Sequence, residues 1–288
     1  MCSRTLGTSQ GKNSLICYPR TEIRGAAMLA RFFQRLVNSL RYGTWLGPLI
    51  GRFQPWDDYY WPRYNKDFYR REISRVGYLD RLSETSWSIE NARIIVSSKR
   101  DLHPNHRLIY ETALNLRPRA ITEIGCGGGD HLANLKLLLP EVYLVGFDVS
   151  ADQLEFARER NFADDGVVLH RRDMTEPDGA HGFERSADLV YTNSVLMHIH
   201  GGKRPARFVQ NMAVISRRYI LLEENWWRHN YLRLIQSVLP DARVLALTNS
   251  GALGLLIDLN FGHGSSQVDG IKVSSDRDLQ ILLRNVPG

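Results

Sequence analysis

The feature that most constrains this 288-residue chain is a glycine-dense turn placed directly after a short apolar segment. Residues 121–124 predict a buried strand with one acid, Glu123, near its end, and residues 131–139 have helical spacing that stops at Pro140. Glycine has no Cβ and tolerates positive φ, so backbone N–H groups in such a turn can approach a ligand closely. The segment therefore predicts a strand–turn–helix unit that binds a ligand.

Two common phosphate-binding turns do not match this one. The NAD-type pattern G-x-G-x-x-G requires a third glycine at position 130 or 132, and those positions hold Asp130 and Leu132. The Walker pattern is excluded because no G-K-[ST] follows the turn. What remains is the pattern E-x-G-x-G-x-G, formed by Glu123, Gly125, Gly127 and Gly129.

This pattern resembles the first motif of the class I S-adenosylmethionine-dependent methyltransferases. The resemblance implies that the turn holds S-adenosylmethionine, a cofactor without a phosphate, whose ammonium and sulfonium charges suit a nearby acid. The residues that it assigns to cofactor binding in this segment are Glu123, Gly125, Cys126, Gly127 and Gly129.

Three later strand ends carry polar residues in the order that the same family has. Asp148 ends the second apolar segment, 23 residues after Gly125, which is close to the roughly 20 expected for an acid that accepts from ribose hydroxyls. The resemblance implies that Asp173 and Met174, after the third segment, contact the adenine amino group and ring. Asn193 ends the fourth segment and completes the predicted cofactor site.

The resemblance also implies an α/β fold: a Rossmann-like seven-stranded mixed sheet of strand order 3-2-1-4-5-7-6, with helices on both faces and an N-terminal helical or irregular cap. The last two predicted strands flank a turn rich in Asn, Ser and Gly, as expected for the antiparallel pair that closes this fold. The predicted strands are 121–124, 142–148, 167–170, 187–193, 218–224, 243–247 and 255–259.

Four regions follow from these elements. We predict the methyltransferase domain over residues 104–260 and a basic, aromatic-rich cap region over 28–103. A segment predicted to be disordered, 1–27, precedes them, and a tail, 261–288, follows. One connection departs from the family, which often has a Pro-Gly-Gly turn before its fifth strand, where this chain has Ser-Arg-Arg at 216–218.

The cap region is the distinctive part of the chain. Apolar residues at helical spacing between 29 and 40 predict an amphipathic helix with a basic back. This helix either lies on an anionic membrane or packs on the catalytic domain, and we favour the second interpretation. The aromatic segment 53–64 either forms a substrate wall together with Trp226 or is a buried connector. Up to residue 100 there are 17 Lys and Arg against 8 Asp and Glu, which leaves lipid headgroups, a phosphorylated glycan and RNA open as partners.

Composition argues against several kinds of site and location. The chain has three cysteines, with no C-x-x-C and no histidine cluster at metal spacing, so neither a disulfide framework nor a metal site is expected. It has no apolar run of the roughly 20 residues that a membrane span needs, and residues 1–27 lack the apolar core of a signal peptide. We expect a cytoplasmic protein, with peripheral contact to the inner membrane face as the open alternative.

Methyl transfer is an in-line displacement, so positioning supplies much of the rate, and a base helps when the acceptor is a hydroxyl. His198, just beyond the fourth strand, is our first candidate for that base and His200 the second, although a histidine here can also merely shape the pocket. Glu223 and Glu224, after the fifth strand, are further candidates that can equally form salt bridges.

The sequence therefore predicts an enzyme that methylates an oxygen or nitrogen of a small molecule, sugar or glycolipid precursor. Two alternatives stay open: an RNA or protein methyltransferase that docks through the basic front half, with nucleic acid the less favoured partner, and a catalytically silent module that binds the cofactor. The chain lacks an Asp/Asn-Pro-Pro-Tyr stretch and a Pro-Cys pair, which argues against methylation of the adenine amino group and of cytosine C5.

Overall fold

The computed structural model describes residues 78–162, 166–199, 201–224, 226, 229–249 and 252–260. The predictions for the helix at 29–40, the aromatic segment 53–64, His200 and the two terminal segments fall outside these residues. Within the part of the chain that the structure describes, no helix is both long enough and apolar enough to cross a membrane.

The described residues alternate between strands and helices along most of their length, as the sequence predicted. The strands are β1 (Trp87–Glu90), β2 (Arg93–Val96), β3 (Ala120–Ile124), β4 (Tyr143–Asp148), β5 (Val168–Arg171), β6 (Ala187–Asn193), β7 (Ser216–Glu223), β8 (Arg243–Thr248) and β9 (Leu253–Asp258). The α-helices are α1 (Pro104–Leu116), α2 (Asp130–Leu138), α3 (Ala151–Asn161), α4 (Arg204–Ile215) and α5 (Tyr231–Val238). Two single-turn 3-10 helices cover Leu82–Glu84 and Leu196–His198.

Seven of these strands form one mixed sheet in the order β5-β4-β3-β6-β7-β9-β8. Neighbours from β5 to β7 are parallel, whereas β9 is antiparallel to both β7 and β8. If the strands of this sheet are numbered along the chain, with β3 as strand 1 and β9 as strand 7, their order is 3-2-1-4-5-7-6. The predicted fold and its closing hairpin are therefore confirmed. The strand order reverses between β3 and β6, because the chain builds first to one side of β3 and then returns to the other.

Helices cover both faces of the sheet because successive strand residues point to opposite sides. Leu189 belongs to the buried cluster that includes Leu132 of α2 and Leu154 of α3, whereas Val190, the next residue, belongs to the cluster that includes Phe208 of α4. Burying one such side chain contributes about 1.5–3 kcal/mol. Since both faces are covered, the parallel strands are apolar almost throughout, which explains why their sequences lack polar alternation.

The connection before β7 contains no turn, since α4 ends at Ile215 and β7 begins at Ser216. The hydroxyl of Ser216 donates to the carbonyl of Tyr219 at 3.0 Å and accepts from the N–H of Arg218 at 3.1 Å. This side chain supplies the local bonds that redirect the backbone. The departure from the family's Pro-Gly-Gly turn therefore changes one connection and leaves the strand order intact.

Residues 78–103, the described part of the cap region, contain an antiparallel hairpin that the sequence analysis did not predict. Strands β1 and β2 are joined by Asn91 and Ala92, whose φ angles of 51° and 58° give the left-handed conformation of a tight hairpin turn. Ile94 is fully buried, and its N–H donates to Glu111 of α1 at 3.1 Å. The hairpin therefore lies against α1. Strands of four residues are too short for alternation to identify them in the sequence.

Candidate functional site

The carboxyl ends of the parallel strands bring the predicted site residues to one edge of the sheet. The glycine turn follows β3, Asp148 ends β4, and Asp173 lies two residues beyond β5. Asn193 ends β6, and Glu223 ends β7. Open α/β sheets bind ligands at this edge, at the point where the strand order reverses, which here is between β3 and β6.

The glycine turn is anchored to the neighbouring strand β4. The N–H groups of Gly125 and Cys126 both donate to the carbonyl of Phe147, at 2.7 and 3.0 Å. The N–H of Gly127 donates to Oδ2 of Asp148 at 2.8 Å. The predicted ribose-binding acid therefore also fixes the conformation of the turn beside it.

Gly125 and Gly129 are required by packing as well as by conformation. Their φ angles of +77° and +76° lie in the left-handed region that favours glycine. A Cβ on Gly125 would lie 2.3 Å from Cγ2 of Val195, and a Cβ on Gly129 would lie 2.5 Å from Cε2 of Phe162. The loop after β6 and the end of α3 therefore lie directly against the turn.

Two half-buried acids stand at the predicted ribose and adenine positions. Oδ1 of Asp148 accepts from the N–H of Ser150 at 2.8 Å. Oδ1 of Asp173 accepts from both the N–H and the hydroxyl of Thr175, at 2.8 and 2.7 Å, and Arg204 lies 3.7 Å from its Oδ2. Because a carboxylate oxygen can accept more than one hydrogen bond, these contacts orient both acids and are compatible with further donors from a ligand.

Three other predicted cofactor residues direct their side chains into the protein interior. Met174, Cys126 and Glu123 are 3%, 5% and 1% exposed. A Cβ on Gly146 would approach Sγ of Cys126 to 2.8 Å, so this thiol fills the space that the glycine leaves. Burial raises the pKa of the Glu123 carboxyl well above its usual value and favours its neutral form. Cys126 therefore contributes backbone to the turn, and Glu123 lies beneath it.

A buried polar network that the sequence analysis missed links α2 to Asn193. His131, in the first turn of α2, has its Nε2 2.8 Å from Nδ2 of Asn193 and its Nδ1 2.8 Å from the hydroxyl of Tyr110. Burial lowers the pKa of His131 to about 4, so the ring is neutral and its Nε2 accepts from the Asn193 amide. The network fixes the orientation of Asn193 at the point where the strand order reverses.

Asn134 is the residue that could have revealed this network. It lies on the apolar side of α2 and is 1% exposed, and a polar side chain in such a place requires partners. Its Nδ2 donates to the Tyr110 hydroxyl at 2.9 Å and to the carbonyl of Asp80 at 2.7 Å. Its Oδ1 accepts from the N–H of Leu82 at 2.9 Å. Asn134 therefore also ties the segment before the hairpin to α2.

Two of the predicted catalytic candidates lie on neighbouring connections at this edge. Glu223 is paired in register with Asn193, and its carbonyl accepts from the N–H of Ser194 at 2.8 Å. Burial, followed by the charge of Glu224, raises the pKa of Glu223 to about 8. His198 is half-buried in the 3-10 helix beyond β6. The structure thus supports the placement of both candidates without assigning a role to either.

Glu224, the further candidate, binds backbone N–H groups of the loop after β6. It is 4% exposed, and its Oε1 accepts from the N–H groups of Val195 and Leu196 at 3.1 and 2.9 Å, while its Oε2 accepts from the N–H of Met197 at 2.9 Å. Burial raises its pKa to about 7, against the opposing effect of these bonds. No ion pair with Glu224 occurs among the described residues, where this carboxylate binds backbone N–H groups, and its catalytic role stays a prediction.

Trp226, the described half of the predicted substrate wall, lies against the closing hairpin. Its Nε1 donates to the carbonyl of Leu253 at 3.1 Å, and its ring meets Tyr231 edge to face at 5.1 Å. The side chain is half-buried. Its predicted partners in the segment 53–64 fall outside the described residues, so the wall stays a prediction.

Three histidines form a row beside the site, on α1 and α2. The ring centroids of His103 and His106 are 5.2 Å apart, and those of His106 and His131 are 4.5 Å apart. Burial lowers the pKa of each of the three. Over the residues that the structure describes, no group of three or more His, Cys, Asp or Glu side chains is arranged to hold a metal ion. The row is a set of packed neutral rings.

Residues 122–216 match the family described as a methyltransferase domain. This span runs from β3 to the start of β7 and includes all the predicted cofactor residues, from Glu123 to Asn193. The strand order and the glycine turn anchored to Asp148 agree with the same class. The chain therefore contains a class I S-adenosylmethionine-dependent methyltransferase domain, as its motif predicted.

Individual proteins resemble this chain over part of its length or at low sequence identity. A malonyl-[acyl-carrier protein] O-methyltransferase from Legionella pneumophila is 36% identical over 83 residues, which are 29% of this chain and 28% of that protein. The chain thus spans less than a third of the length of that relative. Among solved structures, an O-methyltransferase family protein from Burkholderia thailandensis is 18% identical with a TM-score of 0.41, over 50% of this chain and 51% of that one. A methyltransferase from Aquifex aeolicus is 12% identical with a TM-score of 0.41, over 49% and 82%.

Proposed function

We propose that the chain is an enzyme that transfers a methyl group from S-adenosylmethionine to an oxygen or nitrogen of a small molecule, sugar or glycolipid precursor. The observation that carries this proposal is the unit formed by the glycine turn and Asp148, joined by the 2.8 Å bond from Gly127. This unit lies at the same sheet edge as the ends of β6 and β7, which carry Asn193 and Glu223.

The residues at this edge suit a cationic cofactor without phosphates better than a dinucleotide. Asp130 occupies the first position of α2 and pairs with Arg81 at 3.3 Å. An acid at a helix N-terminus disfavours a pyrophosphate there, because the helix end would otherwise attract the anion. This feature fits a ligand that carries ammonium and sulfonium groups and no phosphate.

Each side of the edge would hold one part of the cofactor. Asp148 would accept from the ribose hydroxyls, and Asp173 and the backbone of Met174 would face the adenine. The backbone of the glycine turn and the oriented amide of Asn193 would hold the amino-acid tail. When bound, S-adenosylmethionine supplies a methyl group on a sulfonium that an acceptor displaces in line.

The acceptor's proton has two candidate recipients among the described residues, Glu223 and His198. A base works best when its pKa is near the working pH, and the pKa of Glu223 is raised to about 8. Glu223 is therefore our first assignment, ahead of His198, which the sequence alone favoured. With such a base, the rate of methyl transfer to a hydroxyl would rise with pH up to about 8, because the Glu223 carboxyl loses its proton over this range.

An oxygen acceptor is the form of the proposal that we favour. The 36% identity over 83 residues with the malonyl-[acyl-carrier protein] O-methyltransferase supports it. The buried carboxyl of Glu223 is compatible with it, because a hydroxyl loses a proton when it is methylated. The basic front half of the chain is compatible with an anionic partner, of which a membrane surface contacted peripherally is one alternative.

The decisive experiment incubates the protein and methyl-labelled S-adenosylmethionine with fractionated lipids, glycans, small metabolites, RNA and protein. We expect label in one of the first three fractions. Label in RNA or protein would establish the docking alternative, and cofactor binding without label in any fraction would establish the silent module.

Two variants control the experiment. Asp148→Ala removes the acid that holds the turn and should abolish the label. Asp188 lies near the amino-terminal end of β6, at the sheet edge opposite the site, and accepts from the N–H of Arg119 at 2.8 Å. The Asp188→Asn variant should therefore retain the label.

A further inference from the structure

The loop between β6 and α4 is held from one side by a single carboxylate. Consecutive N–H groups, those of Val195, Leu196 and Met197, donate to the two oxygens of Glu224 at 2.9–3.1 Å. An amide could not replace it fully, because its oxygen accepts while its NH2 group donates and would face the third N–H group. The 3-10 helix Leu196–His198 has no cap from its own N-terminal residue, so Glu224 serves as that cap from 28 residues away.

Hydrogen bonds from the last residue of β7 and from the segment after it also hold this loop. The carbonyl of Glu223 accepts from the N–H of Ser194 at 2.8 Å, and Nε2 of His229 donates to the carbonyl of Leu196 at 3.1 Å. Ser194 has a φ of 57°, a left-handed conformation that a residue other than glycine keeps only when its surroundings impose it. The loop therefore depends on the β7 side for its conformation.

The same loop touches the glycine turn on its other side. A Cβ on Gly125 would lie 2.3 Å from Cγ2, 2.9 Å from Cγ1 and 3.1 Å from Cβ of Val195, so this side chain fills the space directly beside the turn. The N–H of Val195 is itself one of the groups that Glu224 holds. A continuous path of contacts thus runs from Glu224 through Val195 to Gly125.

We propose that Glu224 is a positioning residue: its carboxylate fixes the loop 194–199 so that Val195 closes against the glycine turn, and this sets the affinity for the cofactor. This inference rests on the proposed function for its cofactor part. It gives Glu224 no contact with the reacting atoms and no proton to carry. Glu223, the neighbouring residue, keeps the separate role proposed above, because it contacts the loop through its backbone carbonyl, which accepts from the N–H of Ser194.

The first measurement needs no cofactor. Hydrogen exchange of the amides in 194–199 is compared between the wild-type chain and Glu224→Gln, which turns one acceptor oxygen into a donor that faces the backbone N–H groups. We expect exchange in this loop to accelerate on the order of tenfold or more, while amides of β6 keep their protection. Unchanged exchange in the loop would overturn the proposal.

The second measurement is the dissociation constant of S-adenosylhomocysteine by calorimetry, whose stoichiometry reports the folded fraction. We expect Glu224→Gln to weaken binding on the order of tenfold. Asp188→Asn is the matched control: Asp188 also accepts backbone N–H groups, from Arg119 and Ala120, but at the opposite edge of the sheet. It should lower the melting temperature and leave the affinity unchanged. An equal loss of affinity in both variants would mean that Glu224 only stabilises the fold.

A double-mutant cycle tests the path itself. Val195→Ala removes the methyl groups beside Gly125, and we expect the addition of Glu224→Gln to this variant to weaken binding by clearly less than the tenfold expected in the wild type. Additive losses of affinity would contradict the proposed path of contacts from Glu224 through Val195 to Gly125.

A second variant serves if Glu224→Gln does not fold. Glu224→Asp keeps two acceptor oxygens on a shorter side chain, and we expect it to lose less affinity. If the wild-type chain binds no S-adenosylhomocysteine, the proposed function fails and the cofactor part with it, and the exchange experiment still decides whether Glu224 holds the loop.

Discussion

Replacement of Gly125 by alanine tests the central feature of the site, the close packing of the glycine turn against the loop after β6. Gly125 has a φ of +77°, and an added Cβ would lie 2.3 Å from Cγ2 and 2.9 Å from Cγ1 of Val195. Two separate costs follow, one from the backbone conformation and one from the overlap, and the chain offers a control for each.

The left-handed conformation costs a residue with a Cβ about 1–2 kcal/mol. Overpacking in a closed site costs about 1–3 kcal/mol more, because neighbouring groups must move. The Gly125→Ala variant should therefore lose about 2–5 kcal/mol in free energy of unfolding, part of the roughly 5–15 kcal/mol that a folded protein has. Gly182 has a φ of +84°, and a Cβ added there would meet no heavy atom of the described residues within 4 Å, so Gly182→Ala should show the conformational cost alone.

Urea unfolding followed by tryptophan fluorescence measures both losses, since the chain has six tryptophans. Val195→Ala provides the rescue: it removes both methyl groups and leaves Cβ of Val195, 3.1 Å from the new atom, as the nearest contact. In the Val195→Ala background, Gly125→Ala should cost less by about 1–3 kcal/mol. The reasoning is refuted if Gly125→Ala and Gly182→Ala lose the same stability, or if Val195→Ala rescues nothing.

Three further predictions follow from buried polar groups. Because the folded pKa of Glu223 is raised to about 8 from a usual 4.5, the folded chain keeps a proton that the unfolded chain releases, so the free energy of unfolding should fall as pH rises from about 5 to about 8. Glu223→Gln should make this slope in urea unfolding shallower, while the part that comes from Glu224, whose pKa is raised to about 7, remains; an unchanged slope would contradict the prediction. The thiol of Cys126, buried and with its pKa raised well above 9.0, should resist iodoacetamide in the folded protein and react in urea, as peptide mass mapping would show; labelling in the native state would contradict this. Asn134→Ala leaves the N–H of Leu82 and the carbonyl of Asp80 without their partner and should cost about 2–4 kcal/mol in urea unfolding, whereas a loss under about 1 kcal/mol would mean that water replaces the amide.

The sheet was predictable because its signals are local. Each parallel strand is buried on both faces, so it appears in the sequence as a continuous apolar run that ends in a polar residue or a turn. The predicted strand 187–193 matches β6 as observed, and the predicted helix 131–139 differs from α2 by one residue at each end. The hairpin of β1 and β2 was not predicted, because strands of four residues are too short to show a periodic pattern in the sequence.

The placement of a candidate site residue was predictable where that residue belongs to the glycine turn or lies at a strand end. Gly125, Gly129 and Asp148 belong to this group, since their positions follow from the motif and the strand boundaries. Glu224 does not, because nothing in its neighbourhood along the chain shows that it accepts N–H groups from residues 27 to 29 positions away. A glutamate after a strand is equally compatible with catalysis, an ion pair or a backbone cap until the facing loop is known.

The sequence by itself determined where most of the strands and helices lie and that polar residues end the parallel strands, because apolar periodicity and glycine spacing are properties of short segments. The class of the domain and the order of its strands followed from the resemblance of its glycine motif to a known family. The tertiary structure alone decided which polar groups meet inside. His131 reaches Asn193 across 62 residues, and Asn134 reaches Leu82 across 52. Such partners are chosen by how helices pack on the sheet, and a buried polar atom must find whichever group that packing brings to it.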